Sequence, residues 1–150
     1  MDLEASLQTA GVWYRFVEKV ETVHTADASS ATGIELHRIT KNLVSKTSDG
    51  DYALLIIAGD RRVNLQKAAQ ALGTRNVRLL SFNDAEAISG YPPGGTPSVC
   101  HKTKMNVVLD EELHGCETIF CGGGSRDRLL ELRTEDALRL DNAVTADISE

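Results

Sequence analysis

Two hydrophobic periods alternate along this chain. Leu3 and Leu7 lie one helical turn apart ahead of Gly11, the pattern of a short amphipathic helix over residues 2–10 with a glycine stop. Trp13 to Val20 reads as a strand. Thr25 to His37 is helical but interrupted, because Gly33 divides an Ala/Ser-rich turn from Ile34-Glu35-Leu36-His37. Ile39 to Thr47 has a period of two, which puts Ile39, Lys41 and Leu43 on one face. Ser48-Asp49-Gly50-Asp51 signals a hairpin into Tyr52–Ala58, whose unbroken apolar run predicts a central strand.

Asn64 caps a helix to Leu72, with Leu65, Ala68, Ala69 and Leu72 on one face and Gly73 closing it. Val77 to Leu80 predicts a short strand and Asn83 to Ser89 a short helix. Met105 to Asp110 and Thr118 to Cys121 predict strands around a polar turn. Leu129 to Arg133 follows as a strand, Thr134 caps a helix to Leu140, and Val144 to Ile148 ends the chain as a strand. Hairpin-linked strands mixed with isolated helices predict an α/β fold with a mixed, curved sheet rather than a doubly wound one, as a single domain over 1–150.

Composition narrows the class. A hydrophobic fraction of 41% and a charged fraction of 25% are those of a soluble globular chain. No apolar run reaches the length of a membrane span, and the N-terminus lacks a signal-peptide pattern. Cys100, Cys116 and Cys121 are odd in number and form no CxxC pair, so a reducing cytoplasm without disulfides or zinc is expected. The net charge of −6 argues against nucleic acid, but its distribution does not. Residues 61–104 carry Arg61, Arg62, Lys67, Arg75, Arg78, Lys102 and Lys104 against Asp84 and Glu86, a local basic excess able to meet phosphates.

That basic segment contains Ser89-Gly90-Tyr91-Pro92-Pro93-Gly94-Gly95-Thr96-Pro97-Ser98, which holds all three prolines of the chain. Proline stiffens such a loop, and bare backbone at Gly94 and Gly95 lets a polar group approach. An ordinary connection would read the same way. No GxSxG elbow, P-loop or GxGxxG is present, and Gly122-Gly123-Gly124-Ser125 lacks the P-loop lysine. His24, His37, His101 and His114 are too scattered for a metal site, and Cys100-His101, as strand neighbours, would point to opposite faces. Lys41 stands out. An ammonium between Ile39 and Leu43 either pairs with a carboxylate, serves a ligand, or snorkels to the rim.

Lys41-Asn42-Leu43-Val44, Gly90 to Pro97, Gly122-Gly123-Gly124 and Leu130-Glu131-Leu132 occur in an order and spacing that resembles the YbaK/prolyl-tRNA synthetase-associated domain family, from about Leu3 to Ile148. The resemblance implies a mixed sheet strongly curved towards a barrel, with helices around it. It also implies a freestanding aminoacyl-tRNA deacylase that clears mischarged Ala- or Cys-tRNA(Pro) in trans. The family's essential strand lysine falls on Lys41 and its GxxxP loop on Gly94 to Ser98, with Pro97 one position early and Ser98 at the proline site. Where members carry a loop-side serine, an aspartate and a first-strand tyrosine, this chain has Cys121, Leu129 and Lys19.

An aminoacyl ester is already activated, so its hydrolysis asks for a positioned water and donors for the developing oxyanion. Lys41, Gly94 and Gly95 are the expected catalytic positions, with Gly94, Gly95 and Thr96 N–H groups as donors and Lys41 on a phosphate or the carbonyl oxygen. Tyr91, Thr96, Pro97, Ser98, Cys121, Gly122 and Gly123 are expected to bind substrate, and Arg61, Arg62, Lys102 and Lys104 the tRNA. No metal or cofactor is called for. The partners expected are the misacylated tRNA acceptor end, with prolyl-tRNA synthetase and a second copy of the chain left open. The alternative is a non-catalytic tRNA- or synthetase-binding module on the same fold.

Overall fold

A computed structural model describes residues 2–150. Helix α1 (Leu3–Ala10) starts where the Asp2 carboxylate accepts the Ala5 N–H at 3.1 Å and stops at Gly11, φ 72°. Strand β1 (Tyr14–Glu18) leads through α2 (Thr25–Thr32) and a 3₁₀ turn (Leu36–Arg38) into β2 (Thr40–Thr47). The hairpin at Gly50, φ 90°, returns the chain as β3 (Tyr52–Ala58). Helix α3 (Leu65–Leu72) is capped by Asn64, whose side chain accepts the Lys67 N–H at 3.0 Å. Then come β4 (Val77–Leu79), α4 (Phe82–Ser89), β5 (Asn106–Asp110), β6 (Thr118–Gly122), β7 (Arg128–Arg133), α5 (Thr134–Asp141) and β8 (Val144–Ala146).

The strands form two sheets. One is five-stranded and mixed, in the order β4-β2-β3-β5-β8, with β5 and β8 parallel to β3. The other is three-stranded and antiparallel, β1-β7-β6. The mixed α/β character is as expected, but the barrel-like curvature is not found. Neither sheet closes; they pack against each other across the main core, and among the described residues the backbone pairing that joins them is the isolated bridge Ile39↔Phe120. The β2–β4 ladder covers Ser45 to Thr47 only, so the first half of β2 has an edge that continues into no neighbouring strand.

Burial on both faces explains the apolar run of β3. Leu54, Ile56 and Ala58 join the main core with Val44, Val107 and Leu109, while Leu55 and Ile57 pack on Ala68 and Ala69 of α3. A third cluster, Ala28, Ile39, Phe120 and Leu129, fills the space between α2 and the three-stranded sheet.

Four details depart from expectation. Thr134 is the first residue of α5 rather than its cap; its hydroxyl donates to the Cys116 carbonyl at 2.6 Å. The polar turn after β5 contains a 3₁₀ turn, Glu111–Leu113. Cys100 is in the left-handed region, φ 63°, in a loop rather than a strand. Strand β8 ends at Ala146, because the buried Asp110 carboxylate accepts the Ile148 N–H at 2.9 Å and the Ser149 hydroxyl at 2.7 Å and bends the chain away.

Candidate active site

Along the unpaired edge of β2 runs a cleft of about 430 Å³. The Thr22–Thr25 segment ahead of α2, the Pro93–Thr96 part of the loop, Gly122 and the start of α4 enclose it. Three backbone approaches that only glycine permits hold these walls together. A Cβ on Gly94, φ 84°, would lie 2.8 Å from the Val23 Cα. One on Gly122 would fall 2.3 Å from the Gly95 carbonyl carbon and 2.5 Å from the Thr96 nitrogen. One on Gly95 would meet the Ser125 backbone at 2.9 Å.

Hydrogen bonds fix the same loop. Gly122 N–H donates to the Thr96 carbonyl at 3.1 Å, Gly124 N–H to the Gly95 carbonyl at 2.8 Å, and Arg126 Nε to the Pro93 carbonyl at 2.8 Å. Gly95 N–H is itself spent on the Pro92 carbonyl at 2.8 Å. Among the described residues, the N–H groups of Gly94 and Thr96 have no acceptor, and both residues line the cleft. Thr96 is buried, where an unpaired N–H costs about 1–3 kcal/mol.

Lys41 lines the same cleft and is half-buried. Its Nζ donates to the Arg61 carbonyl at 2.7 Å, and no carboxylate lies within ion-pair distance among the described residues. Burial and the neighbouring Arg62 charge lower its pKa. An ammonium with one backbone acceptor keeps two N–H bonds to offer.

The other expected positions divide in three. Gly122 lines the cleft with Lys41, Gly94 and Thr96. Gly95, Pro97, Ser98, Cys121 and Gly123 are buried behind the wall. Ser98 Oγ donates to Asn42 Oδ1 at 2.6 Å, tying the loop to β2, and burial pushes the Cys121 thiol up to about 12, which keeps it protonated. Tyr91 belongs to the main core, its hydroxyl donating to the Cys100 carbonyl at 2.7 Å. Arg61 is paired with Glu112 at 3.2 Å; Arg61 and Arg62 flank Lys41, and Lys102 and Lys104 are exposed beyond the far end of α4. None of these four basic residues lines the cleft.

Several residues around the site were not among the expected site positions. Lys19 Nζ donates to the Arg126 carbonyl and, at 2.7 Å, to Thr22 Oγ1, and so clamps the Thr22 wall to the loop before β7. His24 is exposed at the cleft. Ala28, Ile39 and Leu129 give the cleft an apolar floor, Leu129 standing where the resemblance sets an aspartate.

The aminoacyl-tRNA editing domain profile matches residues 18–140. Over 136 residues the chain is 30% identical to a protein of Enterococcus faecalis that carries the provisional name Cys-tRNA(Pro)/Cys-tRNA(Cys) deacylase, covering 91% of this chain and 83% of that one. It is 29% identical to the proline–tRNA ligase of Cupriavidus necator over 113 residues, 73% of this chain but 19% of the ligase. A crystal structure provisionally described as a trans-editing enzyme for prolyl-tRNA synthetase superposes with a TM-score of 0.87 at 29% identity, over 99% of this chain and 94% of that one.

Proposed function

The chain belongs to the aminoacyl-tRNA editing domain family, and from that premise we propose that it hydrolyses the ester of mischarged tRNA in the β2-edge cleft, acting in trans on Ala- or Cys-tRNA(Pro). The carrying observation is that Gly94 and Thr96, whose N–H groups have no acceptor among the described residues, line the same cleft as Lys41. They suit an oxygen whose negative charge grows during reaction, because fixed donors cost no reorganisation at the moment of attack.

Water adds to the ester carbonyl carbon and the carbonyl oxygen gains charge against these N–H groups. The carbon–oxygen bond to the ribose then breaks, and the ribose oxygen leaves with the proton that the water gives up. The products are the free amino acid and a tRNA with its terminal diol restored. The neighbouring ribose hydroxyl can direct the water, so the protein's task is positioning and charge stabilisation. Lys41 holds the terminal phosphate or the carbonyl oxygen, and its depressed pKa reflects partial burial and the nearby Arg62 charge.

Ala28, Ile39 and Leu129 offer the amino-acid side chain an apolar surface without a charge, which suits a small uncharged residue such as alanine or cysteine. The segment matched in the proline–tRNA ligase is about a fifth of that enzyme, and the likeness supports tRNA(Pro) as the substrate of this unit. No helix among the described residues is long and apolar enough to cross a membrane, and the cytoplasm, where tRNA is charged, is the proposed place of action.

The test is release of free amino acid from alanyl- and cysteinyl-tRNA(Pro) by the purified chain. Release no faster than spontaneous hydrolysis from either tRNA rejects the proposal.

A further inference from the structure

The cleft has an aromatic rim that the ester chemistry leaves unused. Phe82, at the start of α4, lines the cleft and is 58% exposed. Every other aromatic ring is buried or has a partner. Arg133 lies over Trp13, Arg128 over Phe16 and Lys46 over Tyr52, Tyr14 meets Phe16 edge-on, and Tyr91 and Phe120 are buried. Phe82 has neither a ring nor a cation over it among the described residues. Leu79, 41% exposed, and Ala85 continue the same apolar rim. Folding gains little from leaving a phenyl ring in water at the mouth of the cleft.

We infer that Phe82 is a positioning residue that stacks on the terminal base of the tRNA acceptor end. The inference rests on the deacylase reading, which sets the occupant. An aminoacyl ester at the Gly94–Thr96 wall is one ribose ring away from its own nucleobase, so holding the ester in the cleft brings that base to the rim. A base offers a flat π-face whatever its identity, and stacking on an exposed aromatic ring is how proteins hold unpaired bases. The ring adds affinity and orientation, whereas Lys41 and the loop N–H groups act on the ester. A rim that instead received the amino-acid side chain would alter selectivity between amino acids and leave the base untouched.

Two measurements decide it. In the first, F82A and F82W are compared with wild type on the same mischarged tRNA. Loss of stacking lowers kcat/KM of F82A by about 5- to 150-fold, carried in KM, while F82W stays near wild type. An unchanged F82A, or a loss confined to kcat, overturns the inference. In the second, F82W is placed in a W13F background and its fluorescence followed with uncharged tRNA, either intact or trimmed of its 3′-terminal adenosine. Quenching is expected with the intact tRNA, with affinity at least about fivefold weaker for the trimmed one. Identical titrations with both overturn it. This arm needs no turnover, so a wild-type chain that hydrolyses no mischarged tRNA sinks the deacylase reading separately.

Discussion

Gly122 and Thr96 are held backbone to backbone, the glycine N–H donating to the threonine carbonyl at 3.1 Å with no room between them for a methyl group. That bond fixes the carbonyl of Thr96, a cleft-lining residue whose N–H has no acceptor among the described residues. Gly122→Ala is therefore expected to push the loop off β6. The overpacking costs about 1–3 kcal/mol, or roughly 2–4 °C of melting temperature per kcal/mol. Deacylation should fall further than stability does. Melting curves and turnover measured on one preparation check this, and wild-type values for both would show that the contact is slack.

Gly95 sets a comparable expectation. The loop is packed against Ser125 rather than lying on the surface, and Gly95 N–H is already bonded to Pro92. Gly95→Val should therefore destabilise the fold as well as silence the site. A valine variant that melts with wild type would mean that the 122–126 segment yields easily.

Lys41→Ala is expected to separate activity from stability. Among the described residues its Nζ makes one hydrogen bond, to a backbone carbonyl, so its removal costs about 1 kcal/mol of stability. Loss of a fixed positive donor at the reacting ester should lower turnover by about 100-fold or more. Near wild-type turnover in the alanine variant would remove Lys41 from the chemistry.

Much of the scaffold that presents these groups was legible in the chain. Asn64 and Gly73 bracket α3 as their chemistry predicts, and β3 was readable because burial on both faces leaves no polar position from Ala53 to Ala58. The lysine on β2 and the two glycine clusters were visible as oddities. What they touch was not. The Gly94–Val23 and Gly95–Ser125 approaches join segments far apart in sequence, and no local period encodes them. The open β2 edge depends on how few residues β4 pairs, which strand propensity does not report. The barrel-like sheet expected from resemblance failed for a related reason: among the described residues one bridge, Ile39 to Phe120, is all the backbone pairing between the two sheets.

Stability should fall as pH rises, through Asp141. Its Oδ2 is buried without a hydrogen-bond partner among the described residues, and burial pushes the carboxyl up to about 8. The folded chain thus keeps a proton that the unfolded chain, with an aspartate pKa near ~3.9, releases. Stability from this group is full below about pH 4 and is lost as pH climbs towards 8, by up to a few kcal/mol. Asp141→Asn should flatten that decline and melt higher than wild type at pH 7.5. Parallel melting-temperature profiles for the two proteins would assign the proton elsewhere.

Binding of tRNA should weaken with salt, and Arg62 should contribute more than Arg61. Arg61 is held by Glu112, whereas Arg62 stands beside Lys41 without a carboxylate partner among the described residues. Arg62→Glu is expected to lower affinity and reduce the slope of log K against log salt by about 1 or more. An unchanged slope would move the phosphates to another face.

The central claim is met most directly by a time course of amino-acid release from tRNA(Pro) charged in turn with alanine, cysteine and proline. Rapid release of alanine or cysteine, with the proline ester left at its spontaneous rate, is the result predicted for a cleft that edits mischarged tRNA(Pro). Spontaneous rates for all three esters, or release of proline as fast as the other two, would contradict it.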